Sequence, residues 1–196
     1  MRLSLQPPNR DLMIELETPR FVLRPVGPFE ILLDPGGWRR TEWIYRDLYL
    51  QDRPLGLLKW LRCGPFPDQF RRFTSAIIPR GEQRAVAYHM VTLRGGRSAS
   101  CAVGIHDAAW RGKDVTVEAR ARIMDHYFRH GIERFTGKVE ATNFASIFTY
   151  RKLGYAHIRT TRGERRRPDT GAPVDDLVFE MLKEDWMRGP FAGVSR

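Results

Sequence analysis

Between residues 103 and 155 the apolar positions change rhythm several times, and each change predicts an element. VGIHDAAW reads as the end of a strand, and a basic turn, RGKD, follows it. Beyond the turn Val117, Ala121, Met124 and Phe128 recur at spacings of four, three and four, with Ile123 and Tyr127 beside them. That spacing lays an apolar stripe along one face of a helix, and Gly131 is placed to end it as a left-handed C-cap. Residues 134–141 read as a strand. Asn143 suits the N-cap of a helix over 144–152, which Gly154 ends in the same way. Strand, helix, strand, helix with connections this short requires a crossover between neighbouring strands, so the predicted class is α/β with a mixed sheet.

The rest of the chain supplies further strands. Residues 1–12 read as a loose arm, and a first strand is expected at about 20–25, stopped by Pro25. Two stretches with helical spacing, 38–50 and 55–61, follow Pro35-Gly36-Gly37 and are separated by Pro54. Their Trp38, Trp43, Leu48, Leu57, Leu58 and Trp60 suit a core or a pocket wall. FTSAIIP and AVAYHMVTL predict strands over 72–79 and 84–93 with a turn at Arg80-Gly81-Glu82. A second turn at Gly95-Gly96-Arg97 leads to a strand over 99–106. RTTRGERRRP, residues 159–168, reads as a charged loop, and LVFEML at 177–182 as a closing strand, with 188–196 left as a tail. Residues 1–196 are expected to form a single domain, without repeats or linkers.

Charge narrows the partners without naming one. The 196 residues carry a net charge of +10, which attracts anions of many kinds. No apolar run approaches the ~20 residues of a membrane span, and no signal-peptide core is visible, so a cytoplasmic protein is expected. Cys63 and Cys101 show neither pairing nor ligand spacing, and His126 and His130, though on one helix face, lack the glutamate of a zinc-protease motif. No metal is expected. Phosphate-binding glycine loops and nucleophile elbows are also missing. The RTTRGERRRP run carries five arginines against one glutamate. It reads either as a solvated segment or as a contact for an anionic acceptor.

The basic turn is the place for a phosphate. A strand end meeting a helix start offers unpaired first-turn N–H groups and the positive end of the helix dipole. RGKDVTVEA, NFASIFTYRKLGY and DDLVFEMLKEDW together resemble the GNAT superfamily of N-acetyltransferases, in particular the branch that acetylates ribosomal-protein N-termini. The resemblance covers about residues 18–187 in element order. It implies a strongly twisted sheet of six to seven strands with about four helices, splayed between its fourth strand, 99–107, and its fifth, 134–141. Acetyl-CoA would enter the split as acyl donor. Its diphosphate would meet the turn at Arg111, Gly112, Lys113, Asp114, Val115 and Thr116. The family usually carries small residues where Asp114 and Thr116 stand, so an outward-turned Asp114, acting as helix N-cap, is expected. The fourth-strand end at Ile105, His106 and Asp107 would supply backbone N–H to the oxyanion.

The same resemblance assigns the chemistry. Asn143 and Tyr150 keep the spacing at which family members cap the helix and protonate the departing thiolate, and Ser146 is placed to hydrogen-bond either the cofactor or the backbone. A thiolate of pKa roughly 8.5 leaves more easily when a phenol of pKa about 10 donates to it. An amine must be neutral to attack, and Glu140 is the candidate base, because Lys138 stands where some relatives carry a glutamate. His106, Asp107 and His89 compete for that role. Trp38, with Arg165, Arg166 and Arg167, is expected to line the acceptor site. The acceptor is a primary amine of a small molecule, a protein N-terminus or a lysine, and the protein is a monomer or homodimer without a membrane partner. The alternatives are a GNAT-like binding module that has lost acetyl-CoA use and, less well supported, a nucleic-acid-binding protein. The latter lacks aromatics interleaved with its basic run.

Overall fold

The computed structural model describes residues 10–33, 58, 67–68, 70–95, 97–167 and 170–193. Eight strands form one sheet, in the order β1-β2-β3-β4-β5-β6-β8-β7. They are β1 (Leu16–Glu17), β2 (Phe21–Val26), β3 (Arg72–Pro79), β4 (Ala87–Leu93), β5 (Ser98–Ile105), β6 (Arg134–Glu140), β7 (Ala156–Arg166) and β8 (Pro173–Leu182). The described helices are α1 (Pro28–Leu33), α2 (Val115–Arg129), α3 (Phe144–Lys152) and α4 (Lys183–Arg188). β1 adds a two-residue strand that the sequence pattern does not signal, so the strands expected to part stand fifth and sixth in chain order. Most of the aromatic stretch 38–60, Trp38 included, lies outside the described residues, and Leu58, which falls within them, is exposed. Among the described residues no helix is long and apolar enough to cross a membrane.

Neighbouring strands run antiparallel except β5 and β6, which are parallel and joined by the α2 crossover. Their pairing is short. Ser98 meets Arg134, Ala99 meets Phe135 and Ser100 meets Thr136, and then the two strands part. Each keeps its outer partner over its full length, β5 through Ile105 opposite Ala87 and β6 through Glu140 opposite Asp176. The split therefore has one open strand edge on each side, and its apex lies at Cys101 and Gly137.

The core gathers under the predicted stripe of α2. Phe128 is fully buried, its ring edge-on to Phe135 at 5.1 Å and tilted against Trp186 at 5.9 Å. Tyr127 reaches Phe73 on β3 and Phe135 on β6, each at 6.3 Å, so α2 spans the two sides of the split. Asp125 ties down the C-terminal end by accepting from the Trp186 indole and the Gly193 N–H, both at 3.3 Å. Gly131 and Gly154 follow their helices with φ of 95° and 83°, as left-handed caps require.

The charged segment 159–168 is not a loop. Most of it belongs to β7, an edge strand paired with β8 through a register shift between Thr161 and Arg165. Its side chains are mostly exposed, so the apolar alternation that announces a strand is absent from its sequence. What holds it is ladder pairing and the buried Asp176 on β8. Arg165 donates to both oxygens of that carboxylate, and Lys138 lies 3.3 Å from it. β4 also starts later than the pattern predicts. The Val86 carbonyl instead accepts from the N–H groups of His106 and Asp107, at 3.1 and 3.2 Å.

Candidate active site in the split sheet

The turn after β5 is shaped by local bonds. Asp107 accepts from the Ala109 N–H at 3.0 Å and caps a short 3-10 turn over Ala108–Trp110. His106 is held by the Ala85 carbonyl, 2.7 Å from Nε2, which therefore carries the proton, and its ring stacks on Tyr88 at 5.5 Å. Arg111 folds back so that Nε and Nη2 both lie 3.4 Å from the Ile105 carbonyl at the end of β5. Gly112 has φ of 73°, and Lys113 places its ammonium 5.5 Å from the Trp110 ring centroid. The Lys113 carbonyl accepts from Arg20, which also pairs with Glu118 at 2.6 Å and pins the turn to the start of β2.

Asp114 turns outward as expected, but it does not cap α2. With φ of 57° it occupies the left-handed region that glycine favours and aspartate tolerates better than most residues. Its carboxylate accepts from Lys152 on α3 at 2.8 Å and makes no cap bond. The first-turn N–H groups of Val115, Thr116 and Val117 consequently have no side-chain cap and can receive an anion. Asn143 does cap its helix, accepting from the Ser146 N–H at 3.1 Å. That contact places Asn143 and Ser146 together at the start of α3.

Tyr150 lies at the apex of the split. Its phenol rests on Gly137, where any Cβ would collide with the ring and hydroxyl. The ring stacks on Phe179 at 4.9 Å and 6°, and meets Tyr155 edge-on at 4.9 Å. From α2 the Arg120 guanidinium lies 5.1 Å from the ring centroid. Burial raises the Tyr150 pKa, against an opposing pull from Arg120, so the phenol keeps its proton.

Glu140 is on β6 too, but successive side chains on a strand point to opposite faces, and position 140 is out of phase with Gly137. The structure thus separates the candidate acid and base onto the two faces of β6. Glu140 accepts from Thr142 at 2.5 Å and pairs with Arg167, which brings the arginine segment to the end of β6. Arg166 donates to the Gly171 carbonyl at 3.0 Å, and Arg165 is engaged by Asp176. All three arginines therefore have intramolecular partners.

Two further features escape the sequence reading. The first is Arg120, buried among the apolar residues of α2 at 4% exposure. His89 on β4, one of the competing candidate bases, is fully buried with both ring nitrogens unpartnered. A charge at the three-residue step between Val117 and Ala121 interrupts the apolar stripe and was the available signal for the first. The second feature is a cavity of about 460 Å³ lined by residues that include Arg24, Glu30, Ile31, Arg84 and Tyr88. By alternation Tyr88 faces away from His89, so this cavity lies on the opposite face of the sheet from α2. Among the described residues no group of three or more His, Cys, Asp or Glu is arranged to hold a metal ion.

Neither a family model nor a curated relative matches the chain by sequence. Solved structures do match by shape. A GNAT-family acetyltransferase from Bacillus anthracis superposes with a TM-score of 0.66 at 13% identity, over 87% of this chain and 99% of its own. A ribosomal-protein-alanine acetyltransferase from Vibrio fischeri gives 0.66 and 13%, over 88% and 98%. RimJ of Mycobacterium smegmatis, solved in complex with CoA-disulfide, gives 0.64 and 16%, covering 94% of both chains. With its mixed sheet parted beside a basic helix start, the chain has the fold of the GNAT acetyltransferases.

Proposed function

We propose that this protein is an acyl-CoA-dependent N-acyltransferase that moves an acyl group, acetyl in the simplest case, onto a primary amine. The observation that carries the reading is the parting of β5 from β6 directly beside the uncapped N-terminus of α2. The open edges beyond Ser100 and Thr136 suit an extended amide-containing chain such as pantetheine, because strand edges present unpaired N–H and C=O groups. The α2 N-terminus, with Arg111 and Lys113 close by, suits a diphosphate. When bound, acyl-CoA supplies an activated thioester.

The chain's own residues then divide the work. Tyr150, kept protonated by burial, donates to the leaving sulfur. The acceptor nitrogen bonds to the carbonyl carbon, the C–S bond breaks, and the proton lost by the amine balances the one gained by the thiol. Oxyanion donors come from Cys101–Ile105, since the N–H groups of His106 and Asp107 are donated to Val86. The cavity beside Glu30 and Tyr88 is the acceptor site this reading favours, with Arg84 suited to a carboxylate and Glu30 to an ammonium that displaces its ion pair with Arg24. Glu140 serves as base only after Arg167 is displaced from it.

Calorimetric titration with CoA, followed by thiol detection over a panel of amines, tests the assignment. Binding together with amine-dependent thiol release is the expected result. A chain that does not bind CoA is not an acyltransferase. Binding without thiol release for any amine favours the second reading, a ligand-binding module, for which Asp114 in the turn and Arg111 on the Ile105 carbonyl speak.

A further inference from the structure

Three polar side chains of α2 are buried at 3–4% exposure, and two of them are accounted for. Asp125 holds Arg129, Trp186 and the Gly193 N–H, and His126 meets the Asp11 carbonyl at 2.8 Å. Arg120 is different. Its guanidinium lies against the Tyr150 ring and interacts with the Tyr150 hydroxyl, but its Nε has no hydrogen-bond partner, and no carboxylate among the described residues pairs with it. A guanidinium cannot shed its charge in a protein, and a buried cation without a counter-charge is costly. A leucine here would continue the apolar stripe at no such cost.

Arg120 also stands at a particular place. Cys101 and Gly137 are the first residues past the last shared rung of β5 and β6. The Arg120 guanidinium lies 5.1 Å from the centroid of the Tyr150 ring, whose phenol rests on Gly137. His89, one strand away on β4, is fully buried, neutral and unpartnered at both ring nitrogens, so it keeps one N–H to give. Among the described residues the apex of the split is thus furnished with a cation and hydrogen-bond donors but with no anion. The mouth of the split is the N-terminus of α2. A thioester entering with its phosphates at the mouth carries its acyl end to the apex.

We infer that the split accepts an acyl thioester whose acyl chain ends in a carboxylate, and that Arg120 binds that carboxylate. The inference rests on the acyltransferase reading above and names its donor class. A carboxylate matches the planar fork of a guanidinium through paired N–H···O bonds, which a neutral acyl end cannot make. In the transfer the carbonyl carbon bonds to the acceptor nitrogen and the C–S bond breaks. The thiol leaves with the proton the amine has lost, and the distal carboxylate passes unchanged into the product amide.

Calorimetry on the full chain with CoA, butyryl-CoA and succinyl-CoA decides the matter without knowledge of the acceptor. The two thioesters have equal chain length and differ by a terminal carboxylate. Succinyl-CoA is expected to bind about tenfold or more tightly than butyryl-CoA, the usual effect of a charge-assisted hydrogen bond. Arg120→Leu removes that difference, and Arg120→Lys keeps the charge but lowers the preference. Equal affinity of the wild-type protein for the two thioesters overturns the inference, as does a preference that survives Arg120→Leu. Should Arg120→Leu not fold, the wild-type comparison and Arg120→Lys still decide. Binding of CoA with no preference between the acyl ends removes only the carboxylate site. Failure to bind CoA removes the acyltransferase reading and the site with it.

Discussion

The phenol of Tyr150 fills the space that any side chain at position 137 would need, so the place of this hydroxyl depends on a glycine in the facing strand. Gly137→Ala should force Tyr150 to move, costing roughly 1–3 kcal/mol of stability by overpacking. Tyr150→Phe keeps the packing and removes the proton donor. It should lower the rate of thiol release by about 10²–10⁴-fold, with stability changed by only about 1 kcal/mol. Single-turnover kinetics beside denaturant melts separate these outcomes, and a Tyr150→Phe protein of unchanged rate would remove Tyr150 from the chemistry. At this scale Asn143 was legible as a cap from its place before the helix, whereas Tyr150 was singled out only by the family resemblance. Arg120 was legible only as an interruption of a stripe. What surrounds a buried charge depends on β4, β5 and α3 meeting, which local periodicity does not encode.

At the level of elements, the turn into α2 and the β7–β8 ladder carry the most telling contacts. Asp114 spends backbone energy to adopt φ of 57° and recovers part of it from an exposed ion pair with Lys152. Asp114→Gly should leave stability within about 1 kcal/mol of wild type, since relief of the left-handed conformation offsets the lost pair. Removing a carboxylate beside the anion site should also strengthen CoA binding. Paired calorimetry and melting check both parts, and weaker binding would mean that Asp114 helps the ligand. On β8, Asp176 is fully buried and depends on Arg165. Arg165→Ala should cost about 3 kcal/mol in a denaturant melt, because it strips most of the compensation from a buried charge. The boundaries of α3 and β3 were readable from caps and turn residues. β7 was not, because an exposed edge strand is specified by its partner, and the cue that could have marked it, a carboxylate awaiting Arg165, sits in another strand.

For the molecule as a whole, acid is the expected weakness. Burial and the neighbouring His130 push His126 down to about 4, although the Asp11 carbonyl and Asp125 pull the other way. A histidine depressed in the fold contributes stability above its ordinary value near 6.5. That contribution is lost as pH falls from there towards 4, roughly 1–3 kcal/mol in all. Burial by itself would raise Asp125, but Arg129, Trp186 and Gly193 outweigh it and lower the carboxyl, so a second loss follows at still lower pH. Urea midpoints measured at pH 7.5 and 5 should therefore fall with acidification, and His126→Gln should flatten the upper part of the decline. Three rungs alone connect the plate formed by β1 to β5 with the plate formed by β6, β8 and β7, and α2 lies across the seam. The sheet is in effect two leaves on a short spine. Any molecule lodged between them acts as a clasp, slowing amide hydrogen exchange along both facing edges and making the leaves melt as a single unit.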